Sequence, residues 1–301
     1  MIEIKCINDE AKAKSLWEKL SPQESIYDLW DFRYVFYRHE ICPLYFYTAF
    51  DDGEPVALLP LQYNAPLECY EFFAENFTES NRPFVKSGYE YLIPDLFAAA
   101  PDKTKIFDIL GVHEFIRALP IEDYVYLLDI SNLHSFGDYL ATAFSNAHKR
   151  SNFKRLFTLL ERDHQVKVIH NDFQDLEVLF DLNVKHFGEE SYLRTERERQ
   201  TFRDLIKLPL DWQMLTIEVD GVKLAASLSV IYQDTYFYLI VGSDISEVKD
   251  VFKYLTKANL ELALSRQLQV FNCALGGCNW KEYWHLDKQP QYEFTKKPLK
   301  Q

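Results

Sequence analysis

The sequence predicts an α/β protein of the α+β kind, made of two tandem copies of one module, each a mixed, mostly antiparallel sheet flanked by helices. Three observations carry this. Asp52-Gly53 and Asp220-Gly221, 168 positions apart, each join two runs rich in β-branched and aromatic residues. Gly accepts the positive φ of a tight hairpin turn, so both read as hairpins. A strand ending in Gly follows each hairpin at nearly the same offset, over 105–111 and 269–277, with Phe107 and Phe271 164 apart. Hairpin, helix and Gly-ended strand in the same order twice mark a duplicated fold, and two copies are too few for a solenoid.

In chain order, the first copy reads as a strand over 45–50, a turn over 51–54, a strand over 55–61, a strand region over 68–73 and the strand over 105–111. The stretch 133–163 then contains an amphipathic helix, with Phe153, Leu156, Phe157 and Leu160 at three- and four-residue steps. From Lys149 to Lys167 it carries six basic and two acidic residues. Its outer face reads either as a contact for phosphates or RNA, or as a solvated helix joining two domains. The second copy reads as a strand over 165–170, helices over 173–187 and 195–206, a hairpin over 212–232, a strand over 235–241, a helix over 247–267 and a strand over 270–275. The expected divisions are an acidic N-terminal unit over 1–145, a linking basic helix over 146–164 and a C-terminal unit over 165–301.

Composition narrows the class. A length of 301 residues suits two domains, and 48% apolar with 26% charged residues excludes disorder. Nine Gly and 12 Pro exclude a fibrous chain. No apolar run approaches the roughly 18 residues of a membrane span, and Met1-Ile2-Glu3-Ile4-Lys5 lacks a signal-peptide core, so a soluble cytoplasmic protein is the expectation. Five Cys (Cys6, Cys42, Cys69, Cys273, Cys278) without paired spacing read as reduced thiols, and no zinc set is complete around Cys273, Cys278 and His285, so no metal is expected. Residues 1–147 hold 11 Lys+Arg and 24 Asp+Glu, while the rest balances at 22 and 22. An anionic donor therefore belongs with the second copy, and the acidic first copy reads as a structural half or an acceptor platform. Neither GxGxxG nor GxxxxGK[ST] occurs, which removes the usual dinucleotide and P-loop readings.

At four places, in order, the chain resembles the tandem GNAT acetyltransferases of the Fem and CelD-like (BioF-like) group: the aromatic segment Ser25-Ile26-Tyr27-Asp28-Leu29-Trp30; Leu58-Leu59-Pro60-Leu61 after the first hairpin; Tyr126-Leu127-Leu128-Asp129-Ile130 before the basic helix; and the closing run Gly276-Gly277-Cys278-Asn279-Trp280-Lys281-Glu282-Tyr283-Trp284. The resemblance implies two GNAT units and transfer of an acyl group from acetyl-CoA or another acyl-CoA to an amine or hydroxyl of a small molecule or cell-envelope precursor. Its alternatives are a Fem-type transferase fed by aminoacyl-tRNA, which would make tRNA a partner, and a duplicated scaffold without catalysis.

That resemblance also assigns roles. A GNAT sheet parts between its fourth and fifth strands, so Leu239, Ile240, Val241 and Gly242 would lend backbone groups to the pantetheine arm, one N–H serving the thioester oxyanion. The pyrophosphate would sit at the start of the next helix, yet the loop 243–253 has no Gly, and Val251-Phe252 stands where relatives often have Pro-Gly. Asp250 and Glu247 would oppose an anion there, with Lys249, Lys253 and Lys257 offsetting them. Glu218 is the candidate base and Tyr238 the candidate acid or substrate wall. Glu189, Tyr192, Asn272, Lys281 and Trp284 are candidate acceptor-side or substrate residues. For each, a structural role is the alternative, with the Trp residues as core.

Overall fold

Both expected hairpins are present with the same turn: φ is 46° and 85° at Asp52-Gly53, and 52° and 83° at Asp220-Gly221. Positive φ at both central residues is the signature of a type I′ turn, whose twist matches the strands it joins. The structure is a computed structural model, and it describes residues 1–297 except 39, 75, 76, 277 and 278; of Asn279 only the backbone is described. Gly277 and Cys278 of the closing run thus lie outside the described residues. The chain forms two compact units, one of Met1–Val125 with the chain from Gln289 onward, the other of Tyr126–Lys288.

The first unit runs β1 (Ile2–Ile7), α1 (Glu10–Leu20), α2 (Trp30–Tyr34), β2 (Leu44–Asp51), β3 (Glu54–Asn64), β4 (Cys69–Phe72), β5 (Phe84–Val85), α3 (Ile93–Ala99), β6 (Lys105–Leu110), α4 (Glu114–Arg117) and the start of β7 (Ile121–Asp129). β1 to β4 pair in order as an antiparallel sheet, with β5 on β3. Asp9 caps α1 through the Lys12 N–H. Trp17 on α1 is buried and packs edge-on against Phe84, Phe73 and Trp30, with ring centroids 4.6, 5.6 and 6.0 Å away. Many of the chain's aromatic residues thus build core rather than a cleft.

The second unit continues with α5 (Phe136–Ala143), α6 (Ala147–Asp163), β8 (Val166–His170), α7 (Leu176–Phe187), α8 (Glu196–Leu205), β9 (Asp211–Val219), β10 (Val222–Tyr232), β11 (Thr235–Ser243), α9 (Val251–Ser265), β12 (Val270–Asn272), α10 (Asn279–Tyr283) and β13 (Asp287–Thr295). β8, β9, β10 and β11 pair antiparallel in sequence; β11 then pairs parallel with β12, and β12 antiparallel with Leu127–Asp129 of β7. Strand, two helices, three strands, helix, strand, short helix, strand is the order in both halves, with the two-residue β5 added in the first. β3 and β10 are 11 residues each, β7 and β13 nine each. The duplication read from the turns therefore extends over nearly all the elements.

The contact-defined units divide elsewhere than the sequence divisions at 145/146 and 164/165. The basic helix α6 buries Phe153, Phe157 and Leu160 inside the second unit, with Phe153 5.1 Å from Trp284 and Phe157 6.1 Å from Tyr254. Charge suggested a linker, while the apolar stripe made it a packed element. Beyond Lys288, Gln291–Thr295 of β13 pairs with β6 and so belongs to the first unit. Two elements are shorter than their sequence spans. α9 begins at Val251, not 247, because Asp250 takes a left-handed φ of 71° that breaks the helix on its N-terminal side. β12 stops at Asn272, whose side chain accepts the Ala274 N–H at 2.8 Å and turns the chain.

Candidate active site

The site is built on β11. Its pairing with β12 covers only Thr235, Tyr236 and Phe237. Past Asn272 the chain leaves β11 but stays on β7, with Cys273 N–H donating to the Tyr126 carbonyl at 2.8 Å. Among the described residues no strand pairs with Tyr238–Ser243 on that side, so the sheet parts there. Beside β10, register slips between Leu228 and Ser229, which pair with Ile240 and Tyr238, so Leu239 is the extra residue of a β-bulge. A bulge re-aims the residues beyond it and increases local twist, which suits a parting sheet.

α7 lies against this stretch and is fastened to it twice. Asn183 Nδ2 donates to the Val241 carbonyl at 2.6 Å, and His186 Nδ1 lies 3.2 Å from Ser243 Oγ. Gly242 between them makes this approach feasible: a Cβ there would stand 2.4 Å from the Asn183 N and 2.7 Å from the Leu182 carbonyl carbon. In an antiparallel ladder a residue's N–H and C=O point to one side, so the Val241 N–H is directed to the same side as the carbonyl that Asn183 holds. Ser191 Oγ in turn donates to Asn183 Oδ1 at 2.7 Å, which orients the amide.

Tyr238 is the first β11 residue past the β12 pairing. Its ring is buried beside Phe271, and its hydroxyl lies against Thr256 without an aligned hydrogen bond among the described residues. Burial pushes its ionisation well above the usual tyrosine range, so it is a neutral donor. Asn259 of α9 fixes the neighbouring face, bonding Tyr236 Oη at 2.6 Å and both Ser227 and Ser229.

Beyond the end of β11, side chains of α7, α9 and α10 meet. Phe252 in the first turn of α9 packs edge-on to Trp280 of α10 at 5.2 Å and 6.1 Å from the His186 ring. The loop between β11 and α9 carries Asp244, Glu247 and Asp250. Lys185 and the Ser246 hydroxyl and N–H hold the Asp244 carboxyl below its usual range, and Asp244 raises Lys185. Lys253 Nζ sits 2.5 Å from Asp250 and 5.3 Å from the Tyr283 ring, while Lys249 is exposed. An extended amide arm fits the open strand edge. A pyrophosphate does not fit this loop: two of the nearby cations are already paired with carboxylates, and the aromatic ring of Phe252 occupies the first turn of α9.

The other sequence candidates fall into two groups. Leu239, Ile240, Val241 and Gly242 line the parting edge, and Asn272 stands where β12 leaves it. Glu218 lies two strands away on β9, opposite Lys223 of β10 and Lys167 of β8. Lys281 is buried and donates to the carbonyls of Ala274 (3.0 Å) and Leu275, bracing the turn after β12. Trp284 is core, stacked on Tyr139 at 5.8 Å. Glu189 and Tyr192 line a separate open cavity of about 510 Å³ with Ser191 and Arg194, joined to α7 through the Ser191–Asn183 bond. Burial pushes the Cys273 thiol up to about 12, so it is inert at neutral pH.

Asn183, His186, Ser191 and Phe252 were not among the sequence candidates. Asn183 had a readable signal: it continues the stripe Leu176, Leu179, Phe180, where an apolar residue would be expected, and a polar residue there needs a buried partner. His186 had none, since its partner Ser243 is 57 positions away in sequence.

In the first unit β4 holds the place in the element order that β11 holds in the second. Arg33, 1% exposed, donates through Nε to the Tyr27 carbonyl and through Nη1 to the Phe73 carbonyl and Thr78 Oγ1, next to the end of β4. Asn81 bridges to β6 beside it.

Comparison with known proteins agrees with this architecture. Residues 147–282 match a family model described as an acetyltransferase (GNAT) domain. The structure of FemX superposes with a TM-score of 0.61 at 11% identity, covering 97% of this chain and 96% of that one. L-PGS from Bacillus licheniformis gives 0.56 at 12% identity, covering 97% and 93%. A tandem GNAT protein from the clavulanic acid biosynthesis pathway gives 0.55 at 9% identity, with both chains fully covered. No curated protein matches the sequence. Among the described residues no helix is long and apolar enough to cross a membrane. The chain has the fold of the tandem GNAT proteins, and its second unit carries the match to the acetyltransferase domain.

Proposed function

We propose that the second unit is an acyltransferase that moves an acyl group from a pantetheine thioester to an amine or hydroxyl acceptor. One observation carries the reading: among the described residues β11 has no strand partner on its β12 side over Tyr238–Ser243, next to a bulge, in a unit that matches the acetyltransferase domain. The description of the tandem GNAT neighbour names AcCoA, which supports a thioester donor.

On this reading the amide arm adds to β11 as a further strand. The thioester oxygen accepts the Val241 N–H, which stabilises negative charge as the carbonyl becomes tetrahedral. The acceptor's nitrogen or oxygen attacks the carbonyl carbon and passes its proton to His186, directly or through one water. The C–S bond then breaks; the leaving sulfur accepts a hydrogen bond from the Tyr238 hydroxyl, and the His186 proton restores the thiol. Asn183 positions α7, and Lys281 and Asn272 shape the far wall. Glu218 receives no step. Glu189 and Tyr192, beyond Ser191, form the acceptor side. Arg33 is buried next to the end of β4 in the first unit, which supports a structural role for that half.

Thermal shift with S-acetylpantetheine and acetyl-CoA tests the reading. A donor at 100 times its dissociation constant stabilises the native state by about 2.7 kcal/mol, with slowed amide exchange at Val241–Ser243. Absence of a shift with both compounds would sink it.

A further inference from the structure

The loop after β11 is poorly made for a nucleotide, while the N-terminal half of the basic helix α6 carries cations that no carboxylate pairs among the described residues. Three carboxylates (Asp244, Glu247, Asp250) face the loop after β11. Lys185 and Lys253 are paired with two of them, and Phe252 spans from α9 towards Trp280 and His186. Nothing there replaces the glycine-lined backbone cradle a pyrophosphate needs.

α6 shows the opposite imbalance. His148, Lys149, Arg150, Lys154 and Arg155 crowd its N-terminal half, with no acidic residue in its first turn. Helix N-termini carry positive partial charge, so cations there are disfavoured without an external anion. Lys149, Lys154 and Arg155 are exposed, and among the described residues none of the three makes an ion pair. Arg150 donates to the Phe144 and Ser145 carbonyls and, with Ser151 and Lys154, lines a groove of about 370 Å³ against Gly137 and Ala141 of α5. This basic stretch lies beside α10. Phe153 stacks on Tyr283 of α10 at 5.3 Å, and Lys149 lies one turn before Phe153 on the same side.

We infer that the donor is delivered by an acidic carrier protein whose 4′-phosphopantetheine thioester enters the parted sheet while its surface docks on the basic half of α6. The inference rests on the acyltransferase reading and specifies its donor. Such a donor brings the amide arm that the β11 edge accepts, but attaches through a single phosphodiester and needs no pyrophosphate cradle. Its negative surface complements the exposed cations of a chain whose net charge is −13, which otherwise repels an acidic partner. An RNA-borne donor would match the charge but not the edge, since an ester on a ribose brings no amide arm. The chemistry balances without a co-reactant: the acyl carbon exchanges its C–S bond for a bond to the acceptor, and the acceptor's proton ends on the carrier's thiol.

The test uses the full chain with four probes: an acetylated holo acyl carrier protein, the same carrier without its arm, S-acetylpantetheine and acetyl-CoA, with transfer RNA as a fifth arm. The expected result is that acetyl-CoA binds within threefold of S-acetylpantetheine, and that the acetylated carrier binds at least tenfold tighter than either. The armless carrier should retain weaker, salt-sensitive binding. The Lys149→Glu/Lys154→Glu/Arg155→Glu variant should lose at least tenfold for both carrier forms while keeping the S-acetylpantetheine shift. All three positions are on the surface, and that retained shift also reports an intact fold. Acetyl-CoA binding ten times tighter than S-acetylpantetheine would overturn the inference, because the nucleotide would then be gripped. So would a carrier indifferent to charge reversal or failing to bind, or transfer RNA binding tighter than carrier and lost in the variant. Silence from both S-acetylpantetheine and acetyl-CoA would instead remove the acyltransferase reading beneath it.

Discussion

Gly242→Ala is the sharpest test of how α7 and β11 make the site. The added methyl would meet the Asn183 N at 2.4 Å, the Leu182 carbonyl carbon at 2.7 Å and the Leu179 carbonyl oxygen at 2.9 Å. All three are backbone atoms of one helix, so no side chain can rotate away and α7 itself must retreat. Overpacking typically costs about 1–3 kcal/mol. The retreat also stretches the Asn183–Val241 and Ser243–His186 contacts, at about 1 kcal/mol each. The expected loss is roughly 3–5 kcal/mol, a fall of about 10 °C for a unit of this size at roughly 2–4 °C per kcal/mol. Calorimetry reads the melting point, and amide exchange should show α7 and β11 opening first. If the variant melts within about 2 °C of the parent with α7 exchange unchanged, the close approach is not real and the placement of Asn183 and His186 falls with it.

Four further outcomes follow from the same geometry. Tyr238→Phe removes a hydroxyl that lacks an aligned partner, so stability in urea should change by less than about 0.5 kcal/mol, while acyl transfer slows at least tenfold. Arg33→Met leaves the Tyr27 and Phe73 carbonyls without their buried donor and should cost about 3–5 kcal/mol in the first unit; a loss under about 1 kcal/mol would contradict its structural role. Asp244 is held below its ordinary range in the folded chain, so its stabilising contribution is complete above the unfolded value of about 3.9 and disappears as pH falls through the lower folded value. Asp244→Asn should therefore flatten the acid limb of a melting-point–pH curve below about pH 4 and leave its neutral shape alone. Trp284→Phe, which drops a buried indole N–H that has no partner among the described residues, should cost much less than the about 3–5 kcal/mol of Trp284→Ala.

The hairpins were legible because a turn is local chemistry: two adjacent residues with positive φ announce themselves as Asp-Gly wherever they occur. The duplication followed from two such turns at one spacing. The units' limits were not legible, because they depend on which strand completes which sheet, and neither β7 nor β13 carries a mark of its partner. The apolar stripe of α6 was legible in Phe153, Phe157 and Leu160, whereas the surfaces it packs against, Trp284 and Tyr254, lie about a hundred or more residues further along the chain. The edge residues of the site could be read from strand order, since a resemblance supplied the place where the sheet parts. The groups that equip the edge could not, because Asn183 and His186 reach β11 across more than 50 residues of chain and Ser191 acts only through Asn183. Tyr238 was a candidate from the sequence, yet the burial of its hydroxyl, without an aligned partner among the described residues, is a property of packing against Thr256 that no pattern encodes.

The pairing of β13 with β6 has a consequence for how the protein is made. The strand that pairs with β6 is made only after Tyr126–Lys288, which is continuous and can settle as soon as it emerges. The half translated first is therefore the half that closes last, and until then β6 waits with a bare flank during synthesis. A stalled or prematurely terminated chain would display that flank, which makes the final dozen described residues a checkpoint for solubility as well as a piece of architecture.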